Sequence, residues 1–218
     1  MLIKEAWSIV GGLSNCTKMP GYSYGLPTID CNVGSKLRNV SGSVCERCYA
    51  HERGHYQYDN GKIARKRRLE SLIDPRWMEA MSFLINHYKN PFRWHDSGDV
   101  QSLVHLIMIV EVAKRTPDVL HWLPTKEKAI VNSFLKVFKK FPPNLNVQMS
   151  GYMVDGPPVK IGKHGGEVAN FITYTKTTPA GSYVCPVEVE GSQPSSCSEA
   201  ECYACWDKSV PVVAGRLH

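Results

Sequence analysis

The feature that most constrains this chain is its eight cysteines, which fall into two groups of four near opposite ends. The front group is Cys16, Cys31, Cys45 and Cys48. The tail group is Cys185, Cys197, Cys202 and Cys205. Cys45-Glu-Arg-Cys48 and Cys202-Tyr-Ala-Cys205 have the spacing that lets two sulfurs reach one metal site. Reducing conditions in a cytosol argue against disulfides. Metal ligation is therefore the expected use of all eight.

The tail reads Cys185-x11-Cys197-x4-Cys202-x2-Cys205, with small and polar residues between the thiols. Four thiolates complete either a tetrahedral zinc site or the corners of a [4Fe–4S] cluster. In the front group Gly34 and Gly42 let the chain turn back so that Cys31 can join the Cys45/Cys48 pair. Cys16 has no partner at close spacing, and its membership is left open. Zinc ribbons usually show two tight knuckles about 12–20 residues apart. Here the tight pairs lie far apart, each with more distant cysteines, and iron–sulfur loops tolerate that irregularity. One or two [4Fe–4S] clusters are the preferred reading, with zinc as the alternative metal.

Apolar residues make up 43% of the 218 residues, enough for one substantial core, so residues 1–218 are read as a single domain. No run approaches the roughly 18 apolar residues of a membrane span. The N-terminus carries Lys4 and Glu5 and lacks a signal-peptide pattern. A cytoplasmic protein with no membrane partner is expected. Net charge is +6, a mild bias toward anionic partners. The densest basic run, Lys62 to Arg68 (KIARKRR), is the candidate nucleic-acid contact, set against the plainer reading of a solvated helix face.

Trp7 to Leu13 reads as a first strand, and residues 14–50 as a cysteine-rich loop. Helical patterns follow from Gly61 to Ile73 and, behind Asp74 and Pro75, through Trp77, Met81, Leu84 and Tyr88. Residues 92–176 form the β/α core. Phe92 to Asp96 is a strand, Leu103 to Lys114 a helix with Leu103, Leu106, Ile107, Val110 and Ala113 on one face. Val119 to Leu123 is a strand closed by Pro124, and Ala129 to Phe141 a helix with Ile130, Phe134, Leu135 and Phe138 inward. Asn146 to Ser150 and Phe171 to Thr175 are the last strands. Residues 185–218 form a cysteine-rich segment of little periodicity. The alternation predicts an α/β fold, a partial (β/α) barrel-like parallel sheet with cysteine-rich loop regions at both ends.

In such folds sites gather at the C-terminal ends of strands. There lie His95-Asp96-Ser97-Gly98-Asp99, Thr125-Lys126 and Ser150. His95, Asp96, Asp99 and Lys126 are candidates to move protons or hold a substrate. Ser97 and Ser150 are candidates to bind a cofactor. Asp99 or Ser102 could equally cap the following helix. A Gly165-Gly166-Glu167 triplet is too common to carry weight, and His51, His55, His87, His105, His121 and His218 carry no signal.

Four stretches carry a resemblance: Met19-Pro20-Gly21-Tyr22-Ser23-Tyr24-Gly25-Leu26-Pro27, Val44-Cys45-Glu46-Arg47-Cys48-Tyr49-Ala50, Arg93-Trp94-His95-Asp96-Ser97-Gly98-Asp99 and Cys202-Tyr203-Ala204-Cys205-Trp206-Asp207-Lys208. Over nearly its whole length the chain resembles the phage-encoded "gene product eighty-eight" family. That resemblance implies a viral source, expression in a bacterial host and cysteine-rich ends, with no activity attached. More loosely, the chain is similar to radical S-adenosylmethionine enzymes. Those have a full or partial α/β barrel, an open cysteine triad holding a [4Fe–4S] cluster, and in several cases auxiliary clusters near the C-terminus. That similarity implies Cys31, Cys45 and Cys48 as the triad, the tail quartet as auxiliary, and S-adenosylmethionine as a cofactor. The chain departs from it because the usual triad is C-x-x-x-C-x-x-C and Cys31 lies further upstream. The expected function is an iron–sulfur protein on such a scaffold, redox-active, acting on a small-molecule substrate or with an electron donor. The competing expectation is a zinc- or cluster-stabilised protein that binds nucleic acid or a host protein without catalysis.

Overall fold

The computed structural model describes residues 1–52, 54–188, 191 and 194–217. In chain order the elements are α1 (Ile3–Ile9), β1 (Ser14–Asn15), β2 (Tyr22–Tyr24), α2 (Asn32–Leu37), α3 (Tyr49–Glu52), α4 (Asp59–Ser71) and α5 (Trp77–Tyr88). The alternating part follows: β3 (Phe92–Trp94), α6 (Leu103–Arg115), β4 (His121–Thr125), α7 (Lys128–Phe138), β5 (Leu145–Ser150) and β6 (Ala169–Tyr174). Then come β7 (Tyr183–Val184) and β8 (Val212–Arg216). The sheet is open and eight-stranded, in the order β1-β2-β3-β4-β5-β6-β8-β7. Every pairing is parallel except that of β1 with β2.

From β2 to β6 the strands lie side by side in chain order, and the helices share one layer. One core joins α1 (Ala6, Ile9), α5 (Trp77, Met81, Leu84), α6 (Leu106, Ile109, Val110) and α7 (Val131, Phe134, Leu135). To these it adds the strand residues Phe92, Trp94, Leu123, Leu145, Val147 and Met149. Side chains alternate across a strand, so the residues between these point to the opposite face. Ser23, Arg93, Trp122 and Asn146 stand in register across β2 to β5, and Gln148 follows on the same face. This second face is polar and carries no helix of the alternating part. The tail covers it: the Trp206 indole donates to the Phe92 carbonyl (3.0 Å), and the Asn146 amide donates to the Cys205 carbonyl (2.9 Å). Trp206 also meets Trp122 edge-on at 5.2 Å.

Buried polar contacts tie the N-terminal elements to the sheet. The Tyr24 hydroxyl lies 2.8 Å from the Arg68 carbonyl and 3.0 Å from the Val10 carbonyl, and it accepts from the Trp77 indole at 3.1 Å. Burial pushes its pKa up to about 12. Arg68 donates to the Gly12 carbonyl (2.9 Å), the Ser14 hydroxyl (2.7 Å) and the Gly25 carbonyl (3.4 Å).

The alternating core matches the expectation from periodicity, with local shifts. Trp77, Met81 and Leu84 are buried on α5, and Ser102 caps α6 by accepting from the His105 amide at 3.1 Å. On α7 the buried residues are Val131, Phe134 and Leu135, while Phe138 is 46% exposed, so the inward face is turned by about one residue. Two expectations are corrected. Trp7 to Leu13 is not a strand: α1 occupies Ile3–Ile9, and the chain then turns through Gly11 and Gly12, both at positive φ. Pro124 does not close β4 but lies inside it, paired in register with Gln148. The stretch 14–50 carries β1, β2, α2 and the start of α3. β7, just before the tail, and β8, within it, extend the sheet beyond β6.

Two histidines are sealed in the helix-facing core. His121 accepts from the Trp94 indole at Nδ1 (3.3 Å) and pairs with the Thr116 hydroxyl at Nε2 (2.8 Å). His105 accepts from the Gln101 amide at Nδ1 (3.2 Å). Burial lowers their pKa values to about 3 and about 4. The unfolded chain, with its histidines near 6.5, binds more protons below that pH. Stability should therefore be full above about pH 6.5 and fall by roughly 1.4 kcal/mol per unit for each histidine toward pH 4. Urea midpoints at pH 7.5, 6, 5 and 4.5 check this. His121→Asn should flatten the profile, and an unchanged slope would refute the assignment.

Candidate metal and substrate site

The exits of β2 and β3 are joined backbone to backbone. The His95 amide donates to the Tyr24 carbonyl (2.9 Å), the Leu26 amide to the Ser97 carbonyl (2.8 Å), and the Ser97 hydroxyl to the Leu26 carbonyl (3.0 Å). Two glycines make this approach possible. A Cβ on Gly25 would stand 2.2 Å from Asp96 Oδ1, and one on Gly98, at φ +73°, would stand 2.6 Å from the Leu26 Cβ. His95 itself takes a left-handed backbone, φ +57°, which costs a non-glycine residue energy. Its ring is 4% exposed, and both nitrogens lack a partner. Burial first, then His105 and Arg93, hold its pKa well below the ordinary histidine value. His95 is thus neutral at physiological pH.

Asp99 is not a free base. It accepts from the Thr125 hydroxyl (2.6 Å), the Val100 amide (2.7 Å) and the Lys126 amide (2.9 Å). Burial pushes its pKa up, and these three bonds pull it back. Its carboxyl therefore clamps the β3 exit to the β4 exit. Next door Glu127 accepts from the Val33 amide (2.9 Å), which docks α2 onto the same edge. The Cys45 loop is pinned to the β5 exit by Val44 donating to the Tyr152 carbonyl (2.9 Å) and Val154 donating to the Gly42 carbonyl (2.9 Å). Ser97 and Ser150 differ. Ser97 spends its hydroxyl on Leu26, while Ser150 ends β5 half-buried.

These clamps bring Cys31 and Cys45 together, with Cys48 near enough to act on both electrostatically. The sulfurs of Cys31 and Cys45 both lie 3.6 Å from where a Gly34 Cβ would stand. Burial raises the Cys31 thiol, and then Asp99, Cys48 and Cys45 raise it further. Burial also raises Cys45, and the Lys126 ammonium offsets part of that. Cys16 sits elsewhere. Its sulfur is 3.0 Å from the Ser23 hydroxyl and 3.8 Å from Asp96 Oδ2. After burial, its charged neighbours are Asp96 and Arg93.

The tail quartet gathers separately. Cys185 is pushed up to about 11, by burial first and Glu188 next. Cys205 is raised well above the ordinary thiol value by burial and then by Cys185 and Cys197. The Cys202 amide donates to the Cys197 carbonyl (3.0 Å), and the Cys197 amide to the Lys18 carbonyl (2.9 Å), which fixes this turn against the β1–β2 loop. All eight thiols are free and half-buried. Among the described residues, no three His, Cys, Asp or Glu side chains form a group set to hold a metal ion. Zn–S bonds of about 2.3 Å place the sulfurs of one ion about 3.8 Å apart. Four irons, each with its own thiolate, space them more widely.

The basic run is divided. Arg65 and Arg68 of α4 are buried, Arg65 donating to the Tyr56 carbonyl, while Lys62, Lys66 and Arg67 stay exposed. Among the described residues no helix is long and apolar enough to cross a membrane. His218 lies outside the described residues. Sequence reasoning missed Arg93 and Tyr49, which stand between the two cysteine groups. Arg93 was legible as the charge between Phe92 and Trp94, where strand alternation sets it on the other face.

An open α/β sheet with cysteine-rich segments gathered at its strand ends and over its polar face is the class this structure defines. The chain belongs to the gene product 88 family, whose model matches residues 3–205. No curated protein and no solved structure matches the chain. The looser similarity to radical S-adenosylmethionine enzymes finds no support in these comparisons.

Thiolate, not thiol, reacts with alkylating agents. In metal-free reduced protein, Lys126→Met should slow iodoacetamide labelling of Cys45 severalfold and leave the tail cysteines unchanged. Peptide mass spectrometry reads this directly. Equal Cys45 rates would remove Lys126 from the front site.

Proposed function

We propose that this protein is an iron–sulfur protein, with Cys31, Cys45 and Cys48 holding one [4Fe–4S] cluster and Cys185, Cys197, Cys202 and Cys205 a second. The observation that carries the reading is the convergence of thiols into two separate sets, one at the strand ends over Gly34 and one on the turn that caps the polar face. The donor chemistry supports it. Each set is dominated by thiols, all eight are free of disulfides, and burial favours the protonated form of Cys31 and Cys205 until a metal displaces the protons. A cluster on three thiolates would leave one iron for an outside ligand, with S-adenosylmethionine the ligand that the radical-enzyme resemblance implies. The side-by-side strand order from β2 to β6 in an open, mostly parallel sheet is compatible with such a scaffold.

The protein's own groups then have defined roles. Lys126 sets its ammonium toward the front thiols and favours negative charge there. Asp99 positions Lys126 through its backbone amide. His95, neutral and unpartnered, is the group at the β3 exit able to accept or pass a proton. A phage source and a bacterial host cell complete the reading.

Strictly anaerobic purification followed by iron, zinc and acid-labile sulfide analysis tests it. About eight irons with matching sulfide per chain are expected, and about four in either Cys45→Ala or Cys202→Ala. Zinc without sulfide would overturn the cluster reading. Loss of all iron in both variants would overturn the two-site arrangement.

A further inference from the structure

The positive charge of this chain is unevenly placed. Net charge is +6, and residues 128–166 hold six lysines against one carboxylate, Asp155. Lys128, Lys136, Lys139 and Lys140 belong to α7 or follow it directly, and Lys160 and Lys163 lie on the crossover from β5 to β6. The Gly162 amide donates to the Asn132 side chain of α7 (3.3 Å), and Val159 and Ile161 pack against the same core as α7, so the crossover runs beside that helix. Five of the lysines are exposed and Lys128 is half-buried. None of the ion pairs among the described residues includes any of the six. The neighbouring acids are engaged elsewhere. Glu127 is buried and accepts from the Val33 amide, Asp155 accepts from Thr175, and Glu167 faces Lys208 at 4.0 Å.

Stability does not account for this pattern. Lysines in the last turn of a helix suit its dipole, and Lys139 Nζ donates to the Lys136 carbonyl (2.6 Å). Lys128, however, opens α7, where the dipole disfavours a cation, and Lys160 and Lys163 belong to no helix. Lys139 itself stands at φ +67°, a left-handed position that glycine fills at lower cost. Among the lysines two apolar side chains stay in water, Val137 (64% exposed) and Phe138 (46% exposed). The Phe138 ring stacks on buried Phe134 (4.7 Å), so it is held in place with part of its surface free. The basic run on α4 is less available: Arg65 and Arg68 are buried, and Lys66 faces Glu70 at 3.8 Å.

We propose that the face formed by α7 and the β5–β6 crossover binds single-stranded nucleic acid, with phosphates along the lysines and a base stacked on Phe138. Lysine meets phosphate as a point charge and reads no sequence, and an aromatic face stacks on any base, so the binding is sequence-independent. The 11 residues of α7 span about 16 Å, room for several nucleotides. A duplex keeps its bases paired and cannot use Phe138. A membrane surface needs a broader apolar face than Val137 and Phe138 provide. No cysteine takes part, so the proposal goes beyond the cluster reading and does not depend on it.

The test uses the full chain, purified anaerobically. A fluorescein-labelled single strand of mixed sequence, about twenty nucleotides long, is titrated by anisotropy over a series of KCl concentrations, beside the matching duplex and phosphatidylserine vesicles. Saturable binding to the single strand is expected, at least threefold tighter than to the duplex. In Lys136→Gln/Lys139→Gln/Lys140→Gln the affinity should fall at least tenfold at low salt. The slope of log K against log salt should shrink there by about two, at roughly 0.7 per lost phosphate contact. Phe138→Leu keeps the packing on Phe134 but loses the ring, and should weaken binding at least threefold at unchanged slope. Lys62→Gln/Lys66→Gln/Arg67→Gln on α4 should change affinity less than twofold. Absence of binding at low salt, an unchanged slope in the α7 variant, an equal loss in the α4 variant, tighter duplex binding, or capture of vesicles in place of the oligonucleotide would each overturn the proposal.

Discussion

The rest of the structure depends on where the helices go. From β2 to β6 the strands add in chain order, and α5, α6 and α7 pack in one layer with α1. A sheet wound this way buries one face in a conventional apolar core and leaves the other to be covered by something else. In this chain the other face bears Ser23, Arg93, Trp122, Asn146 and Gln148. Such a surface cannot be covered by another apolar helix without stranding its polar groups. It is met instead by chain with polar backbone to offer, the turn from Cys197 to Asp207, whose carbonyls accept from Asn146.

The clamps around the strand exits follow from that arrangement. Three side-chain carboxyls sit at the edge, each with a separate task. Asp99 ties β3 to β4, Glu127 holds α2, and Asp96 sets its Oδ1 over Gly25. Two of the three are satisfied by amides and hydroxyls, so they cost little to bury. The third has one oxygen, Oδ1, without a partner, and both ring nitrogens of the preceding residue, His95, are unpartnered as well. Orphaned groups of this kind are rare in native interiors, and their concentration at one strand exit marks the part of the molecule not optimised for stability alone.

Much of this was legible in the sequence where a single period dominated. Trp77, Met81 and Leu84 recur at helical spacing and are all buried, and the short β-rich runs flanking α6 and α7 became β3, β4 and β5. Local pattern failed where tertiary contacts decide. Trp7 to Leu13 resembles a strand running into a turn, but Ala6 and Ile9 are about one helical turn apart and both pack in the core, so Trp7 to Ile9 end α1 and the chain turns after it at Gly11 and Gly12. β8 is five residues long and its pairing with β6 joins positions some forty residues apart, which no local window sees. The C-x-x-C pairs announced the two cysteine groups. The separation of Cys16 did not follow from spacing, because it depends on β1 pairing antiparallel with β2 and so setting Cys16 beside Ser23.

The same pairing explains why Cys16 and Arg93 share a neighbourhood. Ser23 is in register with Arg93 on the polar face, and Cys16 follows directly on Asn15, which pairs with Tyr22. Cys16, Ser23, Asp96 and Arg93 are thereby gathered by backbone register rather than by any attraction among their side chains. A cluster placed by register persists even where its members are poorly satisfied, since the helix-facing side of the same strands, with Trp94, Leu123 and Val147, supplies the stability. The sheet can hold the unpartnered Arg93 Nε and the unpartnered Asp96 Oδ1 because its other face is fully packed.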